Sequence, residues 1–167
     1  MTAERSLSVQ KAETLRKRFK TSDPFEIAKG LGIEIRYVES FQKLKGMYTV
    51  IARNRFIFLS SRNTEEINRI VCAHELGHDQ LHRKAGTMQE TALWDISSKQ
   101  EYEANLFAAH LLLSDDEMLS HIAAGKTCAE IAAITETDPN LVALKVECLM
   151  EAGYTLNAQI YENRFLK

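Results

Sequence analysis

The sequence predicts an α+β fold: a small antiparallel sheet in the first half, a long helix carrying two histidines beside it, and a helical segment at the C-terminal end. Three observations predict it. Residues 33–60 alternate apolar side chains at the strand period, the period changes to that of a helix from Thr64, and helix-capping signatures recur on both sides of this stretch. With 167 residues, 45% of them hydrophobic, the chain can bury one good core. The expected organisation is a core at residues 1–114, N-terminal helices included, with a C-terminal helical segment at 115–167 packed on it.

The first element, RSLSVQKAETLRKRF, reads as a basic helix. In SDPFEIAKGLGI, Asp23 is the N-cap, Pro24 takes the first helical position, Glu26 closes a capping box and Gly30 is the stop. IEIRYV alternates Ile33, Ile35 and Tyr37, and GMYTVIARNRFIFLSS holds two apolar stretches joined near ARNR, an antiparallel hairpin. A sheet of about three strands is the economical reading. Asn63 or Thr64 caps the next helix, with Glu65 and Glu66 in its first turn. Ser98 with Glu101 makes a capping box for a helix running through Leu113. Thr127 with Glu130 opens a short helix, and Asp138 with Pro139 a second one that Gly153 stops.

Composition excludes several classes. The chain contains no apolar run of about eighteen residues, and its basic N-terminus lacks an apolar core segment, so neither a membrane span nor a secretory signal is expected. A soluble protein of the cytoplasm is the expectation. Cys72, Cys128 and Cys148 are odd in number and scattered, which argues against a disulfide framework; they read as buried small residues. The net charge of -2 hides an asymmetry: residues 1–60 hold twelve Lys/Arg against six Asp/Glu, whereas residues 115–152 hold two against eight.

The chemistry concentrates in NRIVCAHELGHDQLH, residues 68–82. On a helical wheel Ile67, Ile70, Val71 and Leu81 share one face with His74 and His78 in its middle, while Glu65, Arg69, Asp79 and Gln80 lie opposite. Two readings stand: a pair of hydrogen-bonded core histidines, or a metal site. The second has a physical rationale, because one helical turn sets both imidazoles on the same side, close enough for one zinc ion at about 2.0–2.1 Å. Glu75, directly after the first histidine, then stands beside the ion, where a carboxylate takes a proton from an attacking water. Gly77 costs about 1 kcal/mol relative to Ala inside a helix; either a backbone or substrate passing close, or a relaxed packing contact, accounts for it.

A catalytic zinc wants a third protein ligand, and SSKQEYEANLFAAHLLLSDDE supplies two contenders. Ala104, Ala108, Leu111 and Leu112 define a buried stripe with Glu101 and Asn105 on its edge, while Glu103 and His110 point the other way. Glu101 is therefore the chosen ligand, its alternative being a mere cap partner. Asn105 is placed to hold the outer nitrogen of a ligating histidine, or the glutamate itself.

These motifs resemble the ImmA/IrrE family of zinc metallo-endopeptidases. The resemblance runs through IFLSS, INRIVCAHELGHDQLH and EYEANLFAAHLLLS, more loosely through PFEIAKGLGIEI, and covers most of residues 24–114. It implies a zincin-like (minigluzincin) core, with His74, His78 and Glu101 as zinc ligands, Glu75 as base and Asn105 supporting them. Ser114 departs from the proline common there. His82 matches a histidine frequent in the family; it either aids substrate binding or ends the helix with favourable charge. The resemblance further implies cleavage or inactivation of a helix-turn-helix repressor of a phage or other mobile element, the alternative being a non-proteolytic regulatory module in a stress or mobile-element response.

The C-terminal helix pair has the outline of a DNA reader. Its charge opposes that: only Lys145 on the second helix is offered to a base or phosphate, within a strongly acidic segment. No direct nucleic-acid binding is expected. The segment is read as a wall for a protein substrate, a basic DNA-binding repressor, or as an ordinary solvated acidic face.

Overall fold

The computed structural model describes residues 6–83, 88–90 and 98–156, with 88–90 as backbone only. In chain order these form α1 (Leu7–Phe19), α2 (Pro24–Gly30), β1 (Ile33–Val38), β2 (Gly46–Ile51), β3 (Asn54–Ser60), α3 (Glu65–Leu81), β4 (Met88–Glu90), α4 (Lys99–Leu112), α5 (Asp115–Ala123), α6 (Cys128–Thr135) and α7 (Pro139–Glu151). No helix among the described residues is long and apolar enough to cross a membrane.

Local chemistry accounts for most boundaries. Ser6, Thr64, Ser98, Ser114 and Thr127 each accept a backbone N–H three residues on with the side-chain oxygen. Thr64 is thus the cap of α3, while Asn63 donates its amide to Lys45 O and Asn68 Oδ1. At α2, Asp23 Oδ1 accepts from Phe25 N–H, and Thr21 Oγ1 takes the Asp23 N–H, so the bond expected from Glu26 is replaced by this tighter turn. Thr127 and Glu130 do form a reciprocal capping box. Gly30 is the last residue of α2, but the left-handed position beyond it falls at Gly32. A Cβ on Gly30 would lie 2.3 Å from the Phe19 ring, and Gly32 stands at φ +70°.

The sheet differs from expectation. It has four strands in the order β1-β3-β2-β4, and it is mixed rather than antiparallel. The β2–β3 hairpin turns at Ala52 and Arg53, both at positive φ, but β1 adds to the far side of β3 in parallel register, Ile35 opposite Ile57. Strand β4 pairs antiparallel with β2. Alternation reports which face a strand buries and not its direction, so the parallel pairing was hidden.

Helix α3 runs against β2, β3 and α2 on one side and against α4 on the other; α4 in turn is flanked by α1 and α7. Both central helices are therefore covered nearly all round. This overturns two wheel assignments: Asp79 and His110, expected to point away from the core, are both buried. Of the three free cysteines Cys72 is buried, whereas Cys128 and Cys148 are only half-buried. Leu113 is extended after α4, and Ser114 then caps α5, an element without a sequence-based expectation.

Candidate metal centre between two helices

The site is set by the closest approach of α3 to α4. A Cβ on Gly77 would lie 3.0 Å from Ala104 Cα and 3.1 Å from its carbonyl oxygen. Glycine there lets the two backbones nearly touch, which answers why a helix breaker sits between two buried histidines. His78 follows Gly77 directly and His74 precedes it by nearly one turn; Asn105 follows Ala104 and Glu101 precedes it by nearly one turn. The crossing therefore places Glu101 and Asn105 against the histidine pair.

The ligand atoms of His74, His78 and Glu101 all lie within 4.8 Å of one another. His74 Nε2 is 2.9 Å from His78 Nε2, and the Glu101 oxygens are 3.1 Å from His74 Nε2 and 3.5 Å from His78 Nε2. Ligands held tetrahedrally about 2.0–2.1 Å from one ion stand roughly 3.3 Å apart, and the three separations bracket that spacing. Each histidine also has its other nitrogen engaged: His74 Nδ1 donates to Asn105 Oδ1 at 2.8 Å, and His78 Nδ1 faces His82 Nδ1 at 3.4 Å. That arrangement leaves both Nε2 atoms and the Glu101 carboxylate grouped in one place, and two imidazoles with a carboxylate are a donor set that suits zinc.

Electrostatics agree. Burial lowers the pKa of His78 and the neighbouring His74 adds to this, against the hydrogen bond to Glu101, so the imidazole favours its neutral, ligating form. Burial alone would raise the Glu101 carboxyl; hydrogen bonds and charge from His74 and His78 outweigh it and hold the group well below the usual carboxylate range. Ser98 caps α4 through its hydroxyl, but the Glu101 carboxylate lies on the histidines instead of completing a capping box.

Glu75 is fully buried on the same helix and is not one of the three converging groups. Its carboxylate faces the start of β2, where a Cβ on Gly46 would come within 3.4 Å of Glu75 Oε1 and 2.3 Å of Val71 Cγ1. The absence of a side chain at Gly46 makes room for the acid.

Two groupings were not visible in the periodicity. Asp79 accepts from Tyr48 Oη at 2.8 Å, Arg55 Nη1 at 3.0 Å, Arg83 Nη2 at 3.0 Å and Gln80 Nε2 at 2.6 Å, while Arg55 also reaches Leu31 O. This network pins the histidine end of α3 to the sheet, and its burial pushes the Tyr48 hydroxyl up, with the Asp79 bond adding to the shift. Glu103, the rejected ligand, instead meets His82 Nε2 at 2.8 Å. The only available signal for either was composition: an acid directly after the second histidine, and an acid on α4 with the third histidine one turn further along α3.

A second group whose ligand atoms converge within 4.8 Å is Glu13, His110 and Asp115. Here Lys145 Nζ lies 2.8 Å from His110 Nδ1 and 2.5 Å from Asp115 Oδ1, so an ammonium group already stands where a cation would. Lys145 is 1% exposed and turned inward, which removes the one base or phosphate contact that the sequence offered on α7.

Comparison with known proteins bears on the same residues. A family model described as the IrrE N-terminal-like domain matches residues 28–145, from within α2 into α7. The "Uncharacterized immunity region protein 2" of Bacillus phage phi105 is 35% identical over 135 residues, 80% of this chain and 85% of that protein.

Proposed function

The chain belongs to the ImmA/IrrE family of peptidases, and from that premise we propose that it is a zinc-dependent endopeptidase cleaving a protein regulator, a helix-turn-helix repressor of a phage or other mobile element. The observation that carries this reading is the convergence of His74, His78 and Glu101, with Glu75 buried on the same helix as the two histidines. His74 and His78 would hold the ion through Nε2 and Glu101 through its carboxylate, within a zincin-like core. When bound, zinc polarises a carbonyl and brings the pKa of a water toward about 7.

The remaining chemistry belongs to the chain. Glu75 accepts a proton from the attacking water and returns it to the departing amine. Asn105 Oδ1 keeps the His74 proton on Nδ1, so that Nε2 stays a ligand. Charge supports a basic partner: Asp116, Glu117, Glu130, Glu136 and Glu151 are exposed on the C-terminal segment, which suits a basic, DNA-binding protein and disfavours nucleic acid. The relative's place in a phage immunity region fits a repressor as that protein, and a repressor acts in the cytoplasm.

The test pairs purified, zinc-loaded protein with the repressor encoded beside it. Discrete repressor fragments are expected, chelation abolishes them, and Glu75→Gln keeps its zinc while cleavage falls by about 10² or more. If Glu75→Gln still relieves repression in cells while the repressor stays intact, the protein acts by association and the endopeptidase reading fails.

A further inference from the structure

We propose that His82 and Glu103 form a positioning relay for the metal centre: Glu103 fixes the tautomer of His82, and His82 in turn holds His78 with its Nε2 lone pair toward the ion. This rests on the zinc reading above. His74 and His78 lie in α3 and His82 is its C-cap, each four residues after the last, and the relay gives the third of them a task.

His82 Nε2 is 2.8 Å from Glu103 Oε2, and a carboxylate oxygen accepts, so this contact favours the His82 tautomer with its proton on Nε2. With one proton on the ring, held at Nε2 by Glu103, Nδ1 is the ring's acceptor. It faces His78 Nδ1 at 3.4 Å, so the hydrogen between the two rings is carried by His78. With its proton on Nδ1, His78 presents Nε2 as a lone pair, 2.9 Å from His74 Nε2 and 3.5 Å from Glu101. His74 is oriented in the equivalent way by Asn105. Asn105 and Glu103 both come from α4, two residues apart, so the one helix crossing at Gly77 and Ala104 sets Glu101, the partner of His74 and the partner of His82 together. The side chain of His82 is 7% exposed and that of Glu103 30%, with Lys99 Nζ at 3.6 Å on the solvent side, which separates this pair from a fully solvated surface bridge.

Outer hydrogen bonds to a ligating histidine typically change metal affinity by about 10–100-fold. Zinc affinity is measured on the full chain by competition with a chromophoric chelator, and the metal-free fold of each variant is checked by circular dichroism. Glu103→Ala and His82→Phe are expected to bind one zinc about 10-fold or more weakly. Glu103→Gln and His82→Asn, which keep an oxygen acceptor in place, are expected to recover most of that loss. Nitrogen-15 ring shifts of the zinc-loaded wild type supply a readout that mere packing does not move: His82 protonated on Nε2 and His78 on Nδ1. Unchanged affinity in both disruptive variants, or a His82 protonated on Nδ1, overturns the relay while His78→Ala still loses zinc. Zinc retained by His78→Ala overturns the metal reading itself and the relay with it.

Discussion

At the N-terminal end of α4, Glu101 meets His74 and His78; at its C-terminal end, His110 meets Glu13 and Asp115, with Lys145 among them. The two ends hold similar donor groups at similar spacing. In the first, among the described residues, the Glu101 carboxylate faces His74 Nε2 and His78 Nε2, and Asn105 and His82 meet the other nitrogens of those two rings. In the second, a lysine supplies the positive charge. Burial lowers its pKa, but the bond to Asp115 opposes that and favours the ammonium. Convergence of ligand atoms therefore does not by itself distinguish a metal site; what decides is whether the chain provides its own cation.

The largest expected effect breaks the second end. Lys145→Met keeps the volume and deletes the charge facing His110 and Asp115. Losing one partner of a buried pair costs about 3–5 kcal/mol, and the partial exposure of Asp115 reduces this to roughly 2–3 kcal/mol. Denaturant unfolding measures the loss, and zinc affinity is expected to stay at the wild-type value because the two ends are separate. A parallel loss of zinc would show them coupled.

Gly77→Ala is expected to be milder. Its methyl group would press on the Ala104 backbone at 3.0–3.1 Å, so α4 must shift, at an overpacking cost of about 1–3 kcal/mol offset by about 1 kcal/mol of helix propensity. Lower stability together with weaker zinc binding is predicted. A stabilised variant with unchanged affinity would mean that this contact does not set the site.

The smallest effect is a pH dependence of the metal-free protein. His78 and Glu101 both have folded pKa values below their ordinary 6.5 and 4.5, so the unfolded chain binds more protons and stability falls on acidification. The His78 contribution fades first, below pH 6.5, and the Glu101 contribution below 4.5. Glu101→Gln should flatten the lower limb in urea titrations at stepped pH; an unaltered limb would exclude the carboxylate as its source.

Much of this was legible in the chain. Asp23, Thr64, Ser98, Thr127 and Asp138 mark helix starts by local hydrogen bonding, which needs no tertiary information. Glu101 was separable from Glu103 by helical phase, which put Glu101 against His74 and His78 and left Glu103 to meet His82. Long-range packing was not legible. The wheel assigns one buried face to each helix, but α3 and α4 are each covered on several sides, so Asp79 and His110 were sent outward and the Tyr48–Asp79–Arg55 network was invisible. Lys145 looked like a phosphate contact because sequence alone does not reveal that Asp115 lies beside it. Gly77 showed that something passes close, and only the structure names Ala104.

The comparison is tested most directly by zinc stoichiometry, measured by elemental analysis after dialysis, in the wild type, Glu101→Ala and His110→Gln. One zinc per chain in the wild type, lost in Glu101→Ala and kept in His110→Gln, is the predicted result. Two zinc ions in the wild type, or one that survives Glu101→Ala and disappears with His110→Gln, would contradict the assignment of the metal to the α3–α4 crossing.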